Sequence, residues 1–64
     1  MLDISARLEE LKECEYINIK TKDGEIIKTP YVEIINNINT EYLIIQHLNL
    51  MFPYCAIEFL DKSS

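Results

Sequence analysis

Few side chains in this sequence could carry out a reaction, and the histidine and the two cysteines come first. His47 is the only histidine, and Cys14 and Cys55 are the only cysteines. A thiol activated by an imidazole is a nucleophile, but Cys14 or Cys55 would have to meet His47 in a cleft, for which a chain this short has little room. Two thiols are also too few to make a zinc site. We expect no metal site and no cofactor, we interpret both cysteines as small core hydrophobes, and we predict that the protein is not an enzyme.

The charged residues indicate binding rather than catalysis. The chain has 64 residues with 11 Asp and Glu against 6 Lys and Arg, which gives a formal net charge of −5. Sequence-independent binding to nucleic acid depends on Lys and Arg that neutralise phosphates, so we expect no direct contact with nucleic acid. No Lys or Arg occurs between Thr29 and Asp61. An acidic surface of this kind favours encounter with a basic partner.

The spacing of apolar residues predicts an N-terminal helix over residues 1–15. Apolar side chains recur at helical spacing between Ile4 and Leu11, which gives one buried stripe. Asp3 or Ser5 can act as the N-cap by accepting a hydrogen bond from a free backbone N–H group. The opposite, solvated face of this helix carries the acidic residues Glu9, Glu10 and Glu13.

After the helix the apolar period changes to two. Ile17 and Ile19 alternate with polar residues, which predicts a strand with both isoleucines directed inward. Asp23-Gly24 predicts a tight hairpin turn, since glycine tolerates a positive φ. Pro30 cannot donate to a strand ladder, so we expect it at a bend or a sheet edge. The segment 31–35 fits either extended structure or one short helical turn.

The second half of the chain reads as a polar loop followed by two strand regions. Residues 36–40 are rich in side chains that hydrogen-bond to their own backbone. In the strand region 41–47 the apolar residues Tyr42 to Ile45 are consecutive, which favours burial on both faces or a place in a closed barrel. Residues 51–60 predict a last strand region, with Pro53 placing its start at an edge.

These elements predict a mainly β fold with an N-terminal α-helix. We expect a single Sm-like domain over residues 1–64, with a small Sm-like or SH3-like barrel of about five strands over 16–60. Closing the sheet into a barrel removes exposed strand edges and suits a small core. Residues 61–64 are expected to form a polar tail. No stretch is long and apolar enough for a membrane span, and no signal peptide is apparent, so we expect a cytoplasmic protein without membrane contact.

Four segments in a fixed order resemble one family. They are the Lys22-Asp23-Gly24-Glu25 hairpin, Val32-Glu33-Ile34-Ile35, the run from Asn39 to Ile45, and Ala56-Ile57-Glu58-Phe59. Together with the acidity of the chain, they are similar to the Rho-binding antiterminator family, the Rof proteins, over about residues 3–60. The apolar segment from Leu50 to Tyr54 departs from the charged strand of that family.

This resemblance implies a protein inhibitor of the transcription termination factor Rho. Such a domain binds at or near the primary RNA site of Rho through an acidic surface, blocks RNA loading and causes antitermination. Asp3 falls where the acidic N-terminal segment of the family lies. The resemblance and the acidity together give these candidate partner-binding residues: Asp3, Glu9, Glu10, Glu13, Asn36, Asn37, Asn39 and Glu41.

Two other functions stay open. The first is an Sm-like RNA-binding protein of the Hfq type, which shares the order of elements. Against it, Tyr54 and Cys55 stand where that family places lysine and histidine before its Ala-Ile pair. The second is a small adaptor that binds another protein, with the apolar segment Met51 to Tyr54 as its contact surface.

Overall fold

Helix α1 spans Ile4–Glu10 in the computed structural model, which describes residues 2–63. The Asp3 carboxylate accepts a hydrogen bond from the N–H group of Ala6 at 3.1 Å, which confirms Asp3 as the N-cap. The helix is shorter than the predicted 1–15, and Met1 lies outside the described residues.

The chain leaves the helix early because the following residues are already held by other elements. Leu11 caps the helix, and the N–H group of Cys14 donates to the Leu11 carbonyl at 2.9 Å in a turn. The Glu15 carbonyl then accepts from the N–H group of Tyr31 at 2.9 Å. Glu15 is therefore already attached to a distant segment, one residue before the first strand begins.

Six strands follow the helix and form two antiparallel sheets. In chain order they are β1 Tyr16–Thr21, β2 Ile26–Pro30, β3 Ile34–Asn37, β4 Tyr42–Ile45, β5 Leu50–Pro53 and β6 Ile57–Lys62. Sheet A has the strand order β2-β1-β6, and sheet B has the order β3-β4-β5. The mainly β fold with an N-terminal helix is confirmed. The closed barrel is not confirmed, because among residues 2–63 no ladder joins sheet A to sheet B.

The sixth strand arises because the predicted strand region 51–60 is divided in two. A 3₁₀ turn at Tyr54–Ala56 follows Pro53 and carries the chain from β5 in sheet B to β6 in sheet A. The prediction of one undivided strand region there is wrong, and the structure has six strands where about five were predicted. β6 also continues to Lys62, so the predicted tail begins inside a strand, and Ser64 lies outside the described residues.

The core is formed by the inner faces of the helix and both sheets. Ile17 and Ile19 are fully buried, as predicted, and the helical stripe packs against them. Two hydrogen bonds attach helix α1 to the rest of the domain. Arg7 Nε donates to the Leu60 carbonyl of β6 at 3.0 Å, and the hydroxyl of Tyr31, in the turn before β3, donates to the Leu8 carbonyl at 2.8 Å. The buried apolar residues are Ile4, Leu8, Leu11, Ile17, Ile19, Leu43, Ile45, Ile57 and Leu60.

Burial corrects two expectations. The apolar run of β4 predicts burial on both faces or a place in a closed barrel; Leu43 and Ile45 on one face are buried, while Ile44 on the opposite face is only half-buried. Cys14 packs partly buried against the core, whereas Cys55 is exposed in the 3₁₀ turn between β5 and β6, so Cys55 is not a core hydrophobe.

The β1–β2 turn confirms the glycine prediction and includes a carboxylate with a shifted pKa. Gly24 has φ 99°, and its N–H group donates to the Thr21 carbonyl at 3.0 Å. Hydrogen bonds from the Thr21 hydroxyl and then from the Glu25 N–H group lower the pKa of Asp23 below its ordinary 3.8. The charged form is therefore favoured in the folded state.

Substituting Asp23→Asn is expected to flatten the acid dependence of stability. Because the folded pKa is lowered, the stabilisation is present above the unfolded pKa and is lost as the pH falls through the folded pKa. Melting temperatures measured between pH 5 and 2 should fall less steeply for the variant than for the wild type. If the melting temperatures of the variant and the wild type fall in parallel with pH, this role of Asp23 is contradicted.

Candidate protein-binding surface

The three acidic candidates in and just after helix α1 are Glu9, Glu10 and Glu13; all are exposed, and two of the three are already in ion pairs. Glu9 pairs with Lys12 at 2.8 Å, and Glu10 pairs with Arg7 at 3.0 Å. The hydrogen bond from Lys12 to Glu9, followed by the charge of that carboxylate, raises the pKa of Lys12. Exposed pairs of this kind contribute little to stability, so a partner can replace them at low cost.

Glu13 differs from the other two helix candidates. It lies beyond the last residue of α1, is exposed, and has no ion-pair partner among residues 2–63. It lines a wide groove of about 460 Å³ together with Glu15, Tyr16, Lys28 and others. Of the three helix candidates, Glu13 is therefore the one whose charge is least compensated.

The side chains of Asp3 and Asn36 make hydrogen bonds within the fold. The Asp3 side chain caps α1, as described above. Asn36 is half-buried in β3, where its Nδ2 donates to Ser5 Oγ at 3.0 Å and its Oδ1 accepts from the Tyr54 hydroxyl. These bonds link helix α1, β3 and the turn before β6, so the primary role of Asn36 is structural.

The remaining candidates lie at the turn between β3 and β4. Asn37 Oδ1 accepts from the N–H group of Thr40 at 3.3 Å, which is ordinary turn chemistry. Glu41 adopts a left-handed conformation with φ 59°, and its carbonyl accepts from the N–H group of Tyr54 at 2.8 Å. The side chains of Asn39 and Glu41 are exposed and so are available to a partner.

The structure brings only part of the candidate set together. Glu9 and Asn36 line one shallow groove of about 150 Å³ between α1 and β3, together with Tyr31 and Ile34. Glu13 lines the other groove, and Asn39 and Glu41 lie on the β3–β4 turn. The predicted residues therefore lie at several separate places on the domain and do not form one compact site.

A pair of asparagine variants separates structural from exposed positions. Asn36→Ala should lower the free energy of unfolding by about 1–3 kcal/mol, since it leaves partly buried hydroxyl groups of Ser5 and Tyr54 without a partner. Asn39→Ala removes an exposed side chain and should change the free energy of unfolding by less than about 0.5 kcal/mol. Urea unfolding measures both. Equal losses would contradict the structural role of Asn36.

Two lysines of sheet A, Lys20 and Lys28, lie over aromatic rings, which sequence patterns did not predict. Lys20 Nζ lies 5.7 Å from the centre of the Phe59 ring, and Lys28 Nζ lies 5.1 Å from that of Tyr16. Register places Lys20 beside Phe59, but nothing in sequence spacing pairs β1 with β6. These two lysines therefore cover apolar surface on the outer face of sheet A.

His47, one of the residues first considered for catalysis, lies near a carboxylate but makes no hydrogen bond to it. His47 Nδ1 lies 3.8 Å from Glu33 Oε1, too far for a hydrogen bond, and both side chains are partly exposed. Between residues 2 and 63, no three His, Cys, Asp or Glu side chains have the arrangement needed to hold a metal ion. No helix in that range is long and apolar enough to cross a membrane.

Comparison with known proteins adds no relative. No family model matches the chain, and neither a curated protein nor a solved structure is significantly similar to it.

Proposed function

We propose that this domain is a protein inhibitor of the transcription termination factor Rho. The observation that carries the proposal is the distribution of charge. The 29–61 segment, which includes all of sheet B, has no Lys or Arg, and the lysines Lys20 and Lys28 lie over aromatic rings. The remaining charges available to a partner are therefore mostly negative.

The proposed mechanism is competition for a basic surface. The resemblance to the antiterminator family implies that the partner surface is the RNA-binding region of Rho. Acidic groups on the domain would be attracted to that region and would exclude RNA both by occupancy and by like-charge repulsion. The groups proposed to make contact are Glu9, Glu10 and Glu13 near the helix, and Asn39 and Glu41 on the β3–β4 turn.

The finer parts of the interpretation belong to the same proposal. The two sheets would correspond to an Sm-like arrangement that has not closed into a barrel. The protein would act in the cytoplasm, where Rho binds nascent RNA. No reaction is required of the inhibitor, so the proposal includes no enzymatic activity.

A competition titration tests the proposal. Labelled C-rich RNA is bound to purified Rho, and the unlabelled protein is added at modest salt. Displacement of the RNA supports the proposal. Bound RNA that is unaffected by excess protein would overturn it. Displacement should also weaken as salt is added, because exposed charges separated by about 10 Å are largely screened at 0.1 M salt.

An Sm-like RNA-binding function is the second candidate. The Lys20–Phe59 and Lys28–Tyr16 pairs place cations beside aromatic rings, as single-stranded nucleic acid sites do. The carboxylates of Glu58 and Asp61 on β6 oppose it by repelling phosphates. Titrating the protein against the RNA alone tests this candidate, and direct binding would favour it.

A further inference from the structure

The outer face of sheet B is an apolar surface that the fold leaves uncovered. Register places Ile35 of β3 opposite Ile44 of β4, and Ile44 opposite Met51 of β5. Because Leu43 and Ile45 point into the core and side chains alternate along a strand, this row points outward. Met51 is 59% exposed and Ile35 is 41% exposed.

The face continues beyond this row. In the next row Asn37 of β3 lies opposite Tyr42 of β4, and Tyr42 lies opposite Pro53 of β5; all three are partly buried, and two of them are apolar. The composition of β4 is typical of a strand that is buried on both faces. In the single chain the helix and sheet A cover only one of those faces, which leaves the other for a partner.

The outer face of sheet A, unlike that of sheet B, carries lysine side chains. There Lys20 lies in register between Ile26 and Phe59, and its ammonium group lies over the Phe59 ring. A lysine stem can cover apolar surface while its charge stays in water. Sheet B has no such cover, because no Lys or Arg occurs from Thr29 to Asp61.

The charges in the chain segments next to sheet B indicate the kind of partner. The acidic residues in the segments that flank sheet B are Glu33, before β3, and Glu41, before β4. A second copy of the chain would bring the same carboxylates and no Lys or Arg from its own sheet B, so self-association through this face is disfavoured. A complementary partner surface has an aliphatic centre with Lys or Arg at its border.

We propose that the outer face of sheet B, centred on Ile35, Ile44 and Met51, is a docking surface for a protein whose aliphatic patch is bordered by Lys or Arg. This inference rests on the proposed function, in which that partner surface belongs to Rho and adjoins its RNA-binding region. The acidic residues steer the encounter, and the apolar row supplies contact area.

Two matched substitutions test the docking surface. Met51→Lys places a cation on the edge strand β5 of sheet B. Ile26→Lys makes the same change of charge on the edge strand β2 of sheet A, at a residue that is 62% exposed. In the RNA-displacement titration with Rho, Met51→Lys should weaken binding at least about tenfold, and Ile26→Lys less than about threefold. Circular dichroism checks that each is folded, and Ile35→Lys replaces Met51→Lys if that variant unfolds.

The outcomes distinguish this inference from the proposed function. If the wild type displaces RNA and both variants do so equally well, the docking surface is wrong and the proposed function stands. A wild type that does not displace RNA overturns both. Sedimentation of the free protein supplies a second criterion: a wild-type dimer that Met51→Lys converts to a monomer would assign the face to a second copy and overturn the inference.

Discussion

Replacing Leu43 by alanine is expected to unfold a large fraction of the protein at 25 °C. Leu43 lies in β4, the central strand of sheet B, and is 0% exposed. Buried Leu→Ala substitutions cost about 2–5 kcal/mol through lost burial and the cavity left behind. A domain of this size has only about 3–5 kcal/mol of stability, so the loss is comparable with the whole.

Leu48→Ala is the matched control for this substitution. Leu48 lies in the 3₁₀ turn after β4 and is 43% exposed, so its truncation should cost clearly less. Urea unfolding, followed by circular dichroism, measures both variants against the wild type. Similar losses for the two leucines would show that sheet B is not packed as described.

Reversing two helix charges is expected to weaken displacement of RNA from Rho by about tenfold or more. Glu9→Lys and Glu13→Lys, made together, remove one paired and one unpaired carboxylate from the proposed contact surface. A tenfold effect corresponds to about 1.4 kcal/mol, which like-charge contacts across an interface readily supply. Glu10 is left intact because its partner Arg7 also donates to the Leu60 carbonyl and attaches the helix to β6.

The control for this variant makes the same change of charge elsewhere. Glu25→Lys with Glu58→Lys also removes one carboxylate that has no ion pair in the described chain and one that is paired, here with Lys20 at 3.8 Å. If binding depends on the helix surface, the control variant should retain most of its ability to displace RNA from Rho at modest salt. Equal loss in both double variants would indicate that net charge alone, and not the position of the acids, governs the encounter.

Short-range features of this protein could be predicted well. The cap at Asp3, the turn at Gly24 and the inward direction of Ile17 and Ile19 each depend on a few neighbouring residues. Capping needs one side-chain oxygen near the first free N–H groups, and a tight turn needs one residue that accepts a positive φ. Sequence spacing therefore contains the information for these elements.

The candidate site was predicted less completely, because burial decides which polar residues are free. Asn36 and Asn39 are the same residue type in one polar segment. One is tied to Ser5 and Tyr54, which are 31 and 18 residues away, and the other is exposed. The ion pairs of Glu9 and Glu10 follow from i, i+3 spacing on a helix, and that spacing was the signal that could have revealed them.

By itself the sequence determined the type of most elements, the inner apolar residues and the acidic balance of the chain, since composition and local stereochemistry settle these. Only the tertiary structure decided that the strands form two sheets, that Cys55 is exposed, and that Ile35, Ile44 and Met51 form one row. Those features depend on pairing between strands distant in the chain. Such pairing is selected by how all the apolar faces pack at once, so no local pattern specifies it.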